Sequence, residues 1–371
     1  MSLNRRFFVA GAAALAPSMA LAKPLFGTPP SVISNPPRQF GPEAPPEIYP
    51  DPDVIVIDKS FGGLLVGLAA IKRLHTGFQW AEGPAWCAEG QYALFSDVKG
   101  DVQYRYIWET GAVSAFRSPS YNSNGNGFDF EGRQISTQDF FRRVVRWEHD
   151  GSMTVIADNF EGTPLNSPND LAAHPDGSIW FTDPAYGGIL SEGHPDPGNA
   201  LYDAAIGIPG SGLVGGMKQQ LPVNVYRWDP SGRLDLVMGP QNNEIANGIC
   251  FSPDYKLVYI VSSGRILAAD VAGHGIANIR TYTECMVDGV HCGPDGMRAD
   301  RAGNIWSGSN APLGYCGVTV WNPAGKIIGR IRLPEICANL CFAGPKRDYV
   351  FMAASQSIYM LRVNIQGAAP G

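Results

Sequence analysis

The sequence predicts an all-β chain folded as a six-bladed β-propeller, with four-stranded blades around a central channel. Three observations lead there. Glycine and aromatic residues are frequent, with 44 Gly and 11% aromatics. No long stretch carries the 3.6-residue period of a helix. One motif recurs about every 43 residues, the spacing of propeller blades.

Residues 1–22 read as an export signal rather than fold. Asn4-Arg5-Arg6-Phe7-Phe8 puts paired arginines ahead of a short apolar run, and Ala20-Leu21-Ala22 supplies a small-x-small cleavage site. The run from Val9 to Leu21 is too short to span a bilayer. Paired arginines followed by Phe-Phe fit the twin-arginine type. The expected partner is therefore the twin-arginine export machinery, and the mature chain is expected to be soluble and periplasmic, without stable membrane association. Residues 23–68 form a proline-rich extension, including Pro36-Pro37, Pro45-Pro46, Pro50 and Pro52. Proline lacks a backbone donor, so this stretch is expected to run extended, as a tether or across the domain surface.

The propeller is expected over residues 69–371. Six segments open with a polar residue and continue into an apolar strand: Glu82-Gly83-Pro84-Ala85-Trp86, Asn126-Gly127-Phe128, Asn169-Asp170-Leu171, Asn247-Gly248-Ile249, Asp295-Gly296-Met297 and Asn339-Leu340-Cys341. A turn, a second strand and a further hairpin follow in each unit, as in Pro175-Asp176-Gly177-Ser178 before Ile179-Trp180-Phe181-Thr182. Asn169 and Asn247 are 78 residues apart, which leaves room for an insertion at about residues 187–221. Gly210-Ser211-Gly212-Leu213-Val214-Gly215 matches a dinucleotide motif by letter, but has no strand–helix context. The sixth unit is short, so a strand near Ala69–Leu74 is expected to complete it and close the ring.

The net charge of −6, without a basic stripe, excludes nucleic acid as an expected partner. Seven cysteines are an odd number, so at least one stays unpaired. There is no GxSxG elbow, HExxH or P-loop, which removes the usual serine-hydrolase, zincin and nucleotide chemistries.

In a propeller the first strand of every blade lines the channel and enters from the same face. Glu82, Asn126, Asn169, Asn247, Asp295 and Asn339 should therefore converge at one mouth. Two carboxylates and several amide oxygens make a hard, oxygen-only set that suits Ca²⁺. Zn²⁺ prefers His or Cys ligands; with Mn²⁺ and Mg²⁺ it completes the candidate divalent ions.

The motifs Glu82-Gly83-Pro84-Ala85-Trp86, Ser167-Pro168-Asn169-Asp170, Thr182-Asp183-Pro184-Ala185-Tyr186-Gly187, Asn247-Gly248 and Pro294-Asp295-Gly296-Met297 resemble the SMP-30/gluconolactonase/luciferin-regenerating-enzyme family. Cys337-Ala338-Asn339-Leu340-Cys341-Phe342 looks like its exported bacterial gluconolactonases. The resemblance implies one divalent metal on Glu82, Asn169, Asn247 and Asp295, with Asp295 as general base. It implies a small-molecule sugar lactone as substrate, an aldonolactone such as glucono-1,5-lactone, opened to the aldonic acid. Asn126 and Asn339 are then left as metal-supporting or substrate-contacting residues. The family's substrate-contacting arginine, two residues before the Asn of Asn-Asp, is here Ser167. Other readings on the same fold are another ester, a phosphotriester, or a calcium-stabilised binding protein without activity.

The second strands return to the same mouth, bringing Asp97, Asp139, Asp183, Ser262 and Ser307–Ser309 near it. The plainer reading of Asp97 and Asp183 is that they brace the inner strands. Tyr186 and His194 border or lie in the insertion, which would form a lid over substrate. His291, four residues before Asp295, is a further substrate-side candidate.

Overall fold

The computed structural model describes residues 38–186, 219–239 and 245–368. The export signal and nearly all of the 187–221 insertion, His194 included, lie outside the described residues. Six antiparallel four-stranded sheets follow one another along the chain, each ordered from the channel outward. Blade one comprises Ala81–Cys87, Tyr92–Asp97, Val102–Ile107 and Val113–Arg117. Blades two to five begin on Ser123–Phe128, Leu171–Ala173, Ala246–Phe251 and Gly293–Ala299.

Blade six takes its three inner strands from the C-terminal end, Asn339–Ala343, Tyr349–Ala354 and Ser357–Arg362. Its outer strand is Lys72–Thr76, from before blade one. Both ends of the propeller thus meet in one sheet. Opening the ring would require breaking that strand pair.

The inner strands pack around the channel so closely that side chains are excluded at fixed points. A Cβ on Gly83 would collide with the Asn124 carbonyl, one on Gly125 with the Asn169 carbonyl, and one on Gly248 with the Asp295 carbonyl. A Cβ on Gly296 would collide with the Asn339 amide. These glycines follow Glu82, Asn124, Asn247 and Asp295 near the start of each strand, and each lets the next blade approach. At these points the first strands of blades one, two, four and five shift register against their second strands. Such β-bulges re-aim side chains.

The core lies between blades rather than in the channel. Trp306, Val318, Val320, Ile331, Leu340, Val350 and Tyr359 are buried between blades five and six, and Phe95, Trp86, Cys341 and Phe351 between six and one. All seven cysteines are buried and unpaired.

The described part of the extension is built into the propeller. Arg38 binds Asp51 and Asp53 at 2.7 and 2.9 Å, and Asp53 also pairs with Arg332 in full burial. After Pro52, Val54–Val56 adds a fifth, edge strand to blade five, a sheet position where a proline-flanked segment costs no ladder bonds. Phe61, on the short helix Lys59–Gly62, packs on Trp306.

Candidate active site

A cavity of about 300 Å³ opens at the channel mouth where the first strands begin. Glu82, Asn124, Asn169, Asn247 and Asp295 line it from blades one to five. Trp80, Lys99, Tyr186 and Asn310 complete its described wall. The geometry thus gathers the four residues expected as metal ligands, together with Tyr186.

The ring is held by bonds between neighbouring blades. Asn247 Nδ2 donates to Asp295 Oδ1 at 2.7 Å. The Asn169 carbonyl accepts from Gly125 N and from Thr137 Oγ1, both at 2.8 Å. Asn124 Nδ2 reaches Asp139 Oδ2 at 3.4 Å. Deeper in the channel, Asp170 faces Arg298 at 3.5 Å.

Two aspartates fix the approach to the ring. Asp97 Oδ1 accepts from Trp80 N at 2.9 Å and from Gly100 N at 3.3 Å, and Gln79 N donates to both its oxygens at 3.1 Å. Asp183 accepts from Asn166 N at 2.9 Å and from Ser167 N at 2.8 Å. Both therefore brace the chain just ahead of a ring residue. Complete burial pushes the Asp183 carboxyl up to about 7, against the Asn166 and Ser167 N–H groups and the Arg142 charge, which pull it down.

Three residues expected at the mouth are placed elsewhere. Asn126 is fully buried in a network between blades one and two, not on the cavity wall. Its Nδ2 donates to Gly83 O at 2.8 Å and Ser96 Oγ at 2.9 Å, and its Oδ1 accepts from Gln103 and Ser136. The mouth position belongs to Asn124. Ser123-Asn124-Gly125-Asn126-Gly127 contains two Asn-Gly pairs in succession, and the bulge between Ser123 and Asn126 makes the first the ring residue. Asn339 is buried over Gly296, with its Oδ1 accepting from Leu340 N at 2.8 Å. His291 ends an exposed hairpin, Met286–Val287 against Val290–His291, and its Nε2 meets Gly264 O at 2.6 Å.

Trp80, Lys99, Asn124 and Asn310 are the wall residues that sequence reasoning missed. A signal existed for Lys99: it follows Asp97 in blade one, and the same stretch after Asp183 in blade three leads to Tyr186. Of the serines expected near the mouth, Ser309 bonds Thr319 at 2.8 Å and Ser307 bonds the Gly308 carbonyl. They serve blade five.

The donor chemistry fits a hard divalent cation. Glu82 and Asp295 bring two carboxylates to one cavity, and Asn169 and Asn247 add amide groups. The buried Cys337 thiol registers this clustered charge: burial, then Glu82 and Asp295, push it well above the usual thiol range. A cation between those carboxylates would relieve their mutual repulsion.

Comparisons with known proteins agree with this architecture. The chain is 27% identical to a gluconolactonase of Zymomonas mobilis over 322 residues, covering 80% of this chain and 82% of that one. Among solved structures, a gluconolactonase of Xanthomonas campestris superposes with TM-score 0.71 at 25% identity, over 87% of this chain and 99% of that one. Regucalcin, a calcium-binding protein of Agrobacterium tumefaciens, shares the fold with TM-score 0.62 at 16% identity, over 81% of this chain and 96% of that one. Residues 80–356 match the SMP-30/Gluconolactonase/LRE-like region, three quarters of the chain and every blade, and the protein belongs to that family.

Proposed function

We propose that this protein is a metal-dependent lactonase that opens a sugar lactone, an aldonolactone such as glucono-1,5-lactone, to the aldonic acid. The observation that carries the reading is the mouth cavity, where Glu82, Asp295, Asn169 and Asn247 converge in a chain related to a gluconolactonase. Glu82, Asn169, Asn247 and Asp295 would hold the cation, with Ca²⁺ favoured by the all-oxygen donors. When bound, such an ion supplies electrophilic polarisation of an ester carbonyl.

The chain's own groups carry the rest. Asp295 takes a proton from the attacking water as the water oxygen bonds to the lactone carbonyl carbon. Asn247, bonded to Asp295 Oδ1, sets the rotamer in which that carboxylate works. The acyl–oxygen bond of the ring then breaks, and the proton passes from Asp295 to the departing ring oxygen, leaving a hydroxyl and a carboxylic acid that releases its own proton to solvent. Trp80 and Tyr186 add aromatic residues to the wall. We further propose periplasmic action after twin-arginine export, on the strength of Arg5-Arg6-Phe7-Phe8.

Acid release from glucono-1,5-lactone, above its spontaneous opening and with or without chelator, tests the reading. Xylonolactone and galactonolactone extend the panel to the sugar. Enzyme-dependent release that vanishes with chelator and returns with calcium is expected. Background rates with every lactone would overturn it.

A further inference from the structure

Lys99 is the one cation among the described residues lining the mouth cavity, which it shares with Glu82 and Asp295. Among the described residues it forms no ion pair with either carboxylate. Its backbone is nonetheless tightly placed. Val98 N bonds Trp80 O at 3.0 Å, Gly100 N bonds Asp97, and Asp101 N bonds Val98 O at 3.3 Å. Asp101 in turn accepts from Ser120 N and Asn122 N. A turn clamped on both sides thus presents an unneutralised ammonium at the edge of an acidic cavity.

That arrangement fits a reaction that creates negative charge. A lactone is neutral, and its opened acid is a carboxylate at neutral pH. We propose that Lys99 recognises that carboxylate, so that the cavity binds the aldonate through Lys99 and favours the charge as it develops. The inference rests on the lactonase reading and names the residue by which the site distinguishes acid from ester. An ammonium is a compact point charge with rotatable donors, suited to a carboxylate that changes orientation as the ring opens.

The test is calorimetric titration of gluconate into calcium-loaded protein at fixed free calcium, for wild type, Lys99→Gln, Lys99→Met and Lys99→Arg. We expect about 10-fold weaker binding for Lys99→Gln and Lys99→Met, the scale of one charge-assisted contact. Lys99→Arg should stay within about 3-fold of wild type, and wild-type affinity should fall with added salt. Unchanged gluconate affinity in both neutral variants would overturn the inference, as would a wild type that opens lactone but binds no gluconate. Failure of the lactonase reading is separate: the wild type would open no lactone at all.

Discussion

Blades one and three build the same device and put it to different ends. In each, an aspartate closing the second strand takes the two backbone N–H groups that precede the ring residue by two and three positions. Asp97 holds Gln79 and Trp80 ahead of Glu82, and Asp183 holds Asn166 and Ser167 ahead of Asn169. Beyond the clamp they diverge. Blade one turns at once into its third strand, fixing Gly100 and aiming Lys99 at the cavity. Blade three runs on to Tyr186 and the insertion, and it buries its aspartate completely. Trp80 stands at the cavity where blade three has Ser167, which is buried. The repeat therefore dictates where a carboxylate sits, while burial and the following turn decide what it does.

The largest expected effect breaks the blade-one clamp. Asp97→Ala leaves three backbone N–H groups without their acceptor, and at about 1–3 kcal/mol each it should cost about 5 kcal/mol in urea unfolding. Asp183→Ala removes two such bonds and should cost about 3 kcal/mol. Equal losses would mean that the Gly100 contact carries nothing.

Of similar size is a pH slope from blade three. The folded carboxyl of Asp183 titrates near 7, above its ordinary value of 3.8. Between those values the folded chain holds a proton that the unfolded chain has released. Stability from this group is therefore full below about pH 4 and lost as pH rises through about 7, by on the order of 4 kcal/mol. Unfolding midpoints from pH 5 to 8 should fall for wild type and flatten in Asp183→Asn. An identical slope in that variant would refute the assignment.

A smaller pair of effects separates the two Asn-Gly positions of blade two. Asn126→Ala should cost about 3 kcal/mol of stability, because Gly83 O, Ser96, Gln103 and Ser136 lose a shared partner. Asn124→Ala should leave stability within about 1 kcal/mol yet raise KM about 10-fold, as a wall residue. Smallest of all, Trp80→Ser, which gives blade one the residue of blade three, should raise KM about 3-fold. An unchanged KM would make Trp80 a bystander.

These contrasts also mark how far the sequence can be read. Six polar residues recurring at blade spacing disclosed the propeller, because channel-lining strands must start at one mouth. The repeat spacing marked Glu82, Asn169, Asn247 and Asp295 among its six polar positions, and the family resemblance singled these four out. Asn126 was read in the wrong phase because a bulge displaces the strand by two residues, and a bulge has no signature when two Asn-Gly pairs are adjacent. Asn339 obeys the repeat but turns its amide onto Gly296, a packing outcome that spacing does not encode. His291 is near Asp295 in sequence, but a tight hairpin at Asp288-Gly289 carries it to Gly264. Lys99 was missed for another reason: a lysine in a turn is ordinary, and only its place just after the Asp97 clamp marks it.

The most direct test of the central claim is the rate of glucono-1,5-lactone opening by pH-stat for calcium-loaded wild type and Asp295→Asn, side by side. If the ring of Glu82, Asn169, Asn247 and Asp295 is the catalytic centre, Asp295→Asn should lose at least about 1,000-fold in kcat while remaining folded. A wild-type rate in Asp295→Asn would contradict the account.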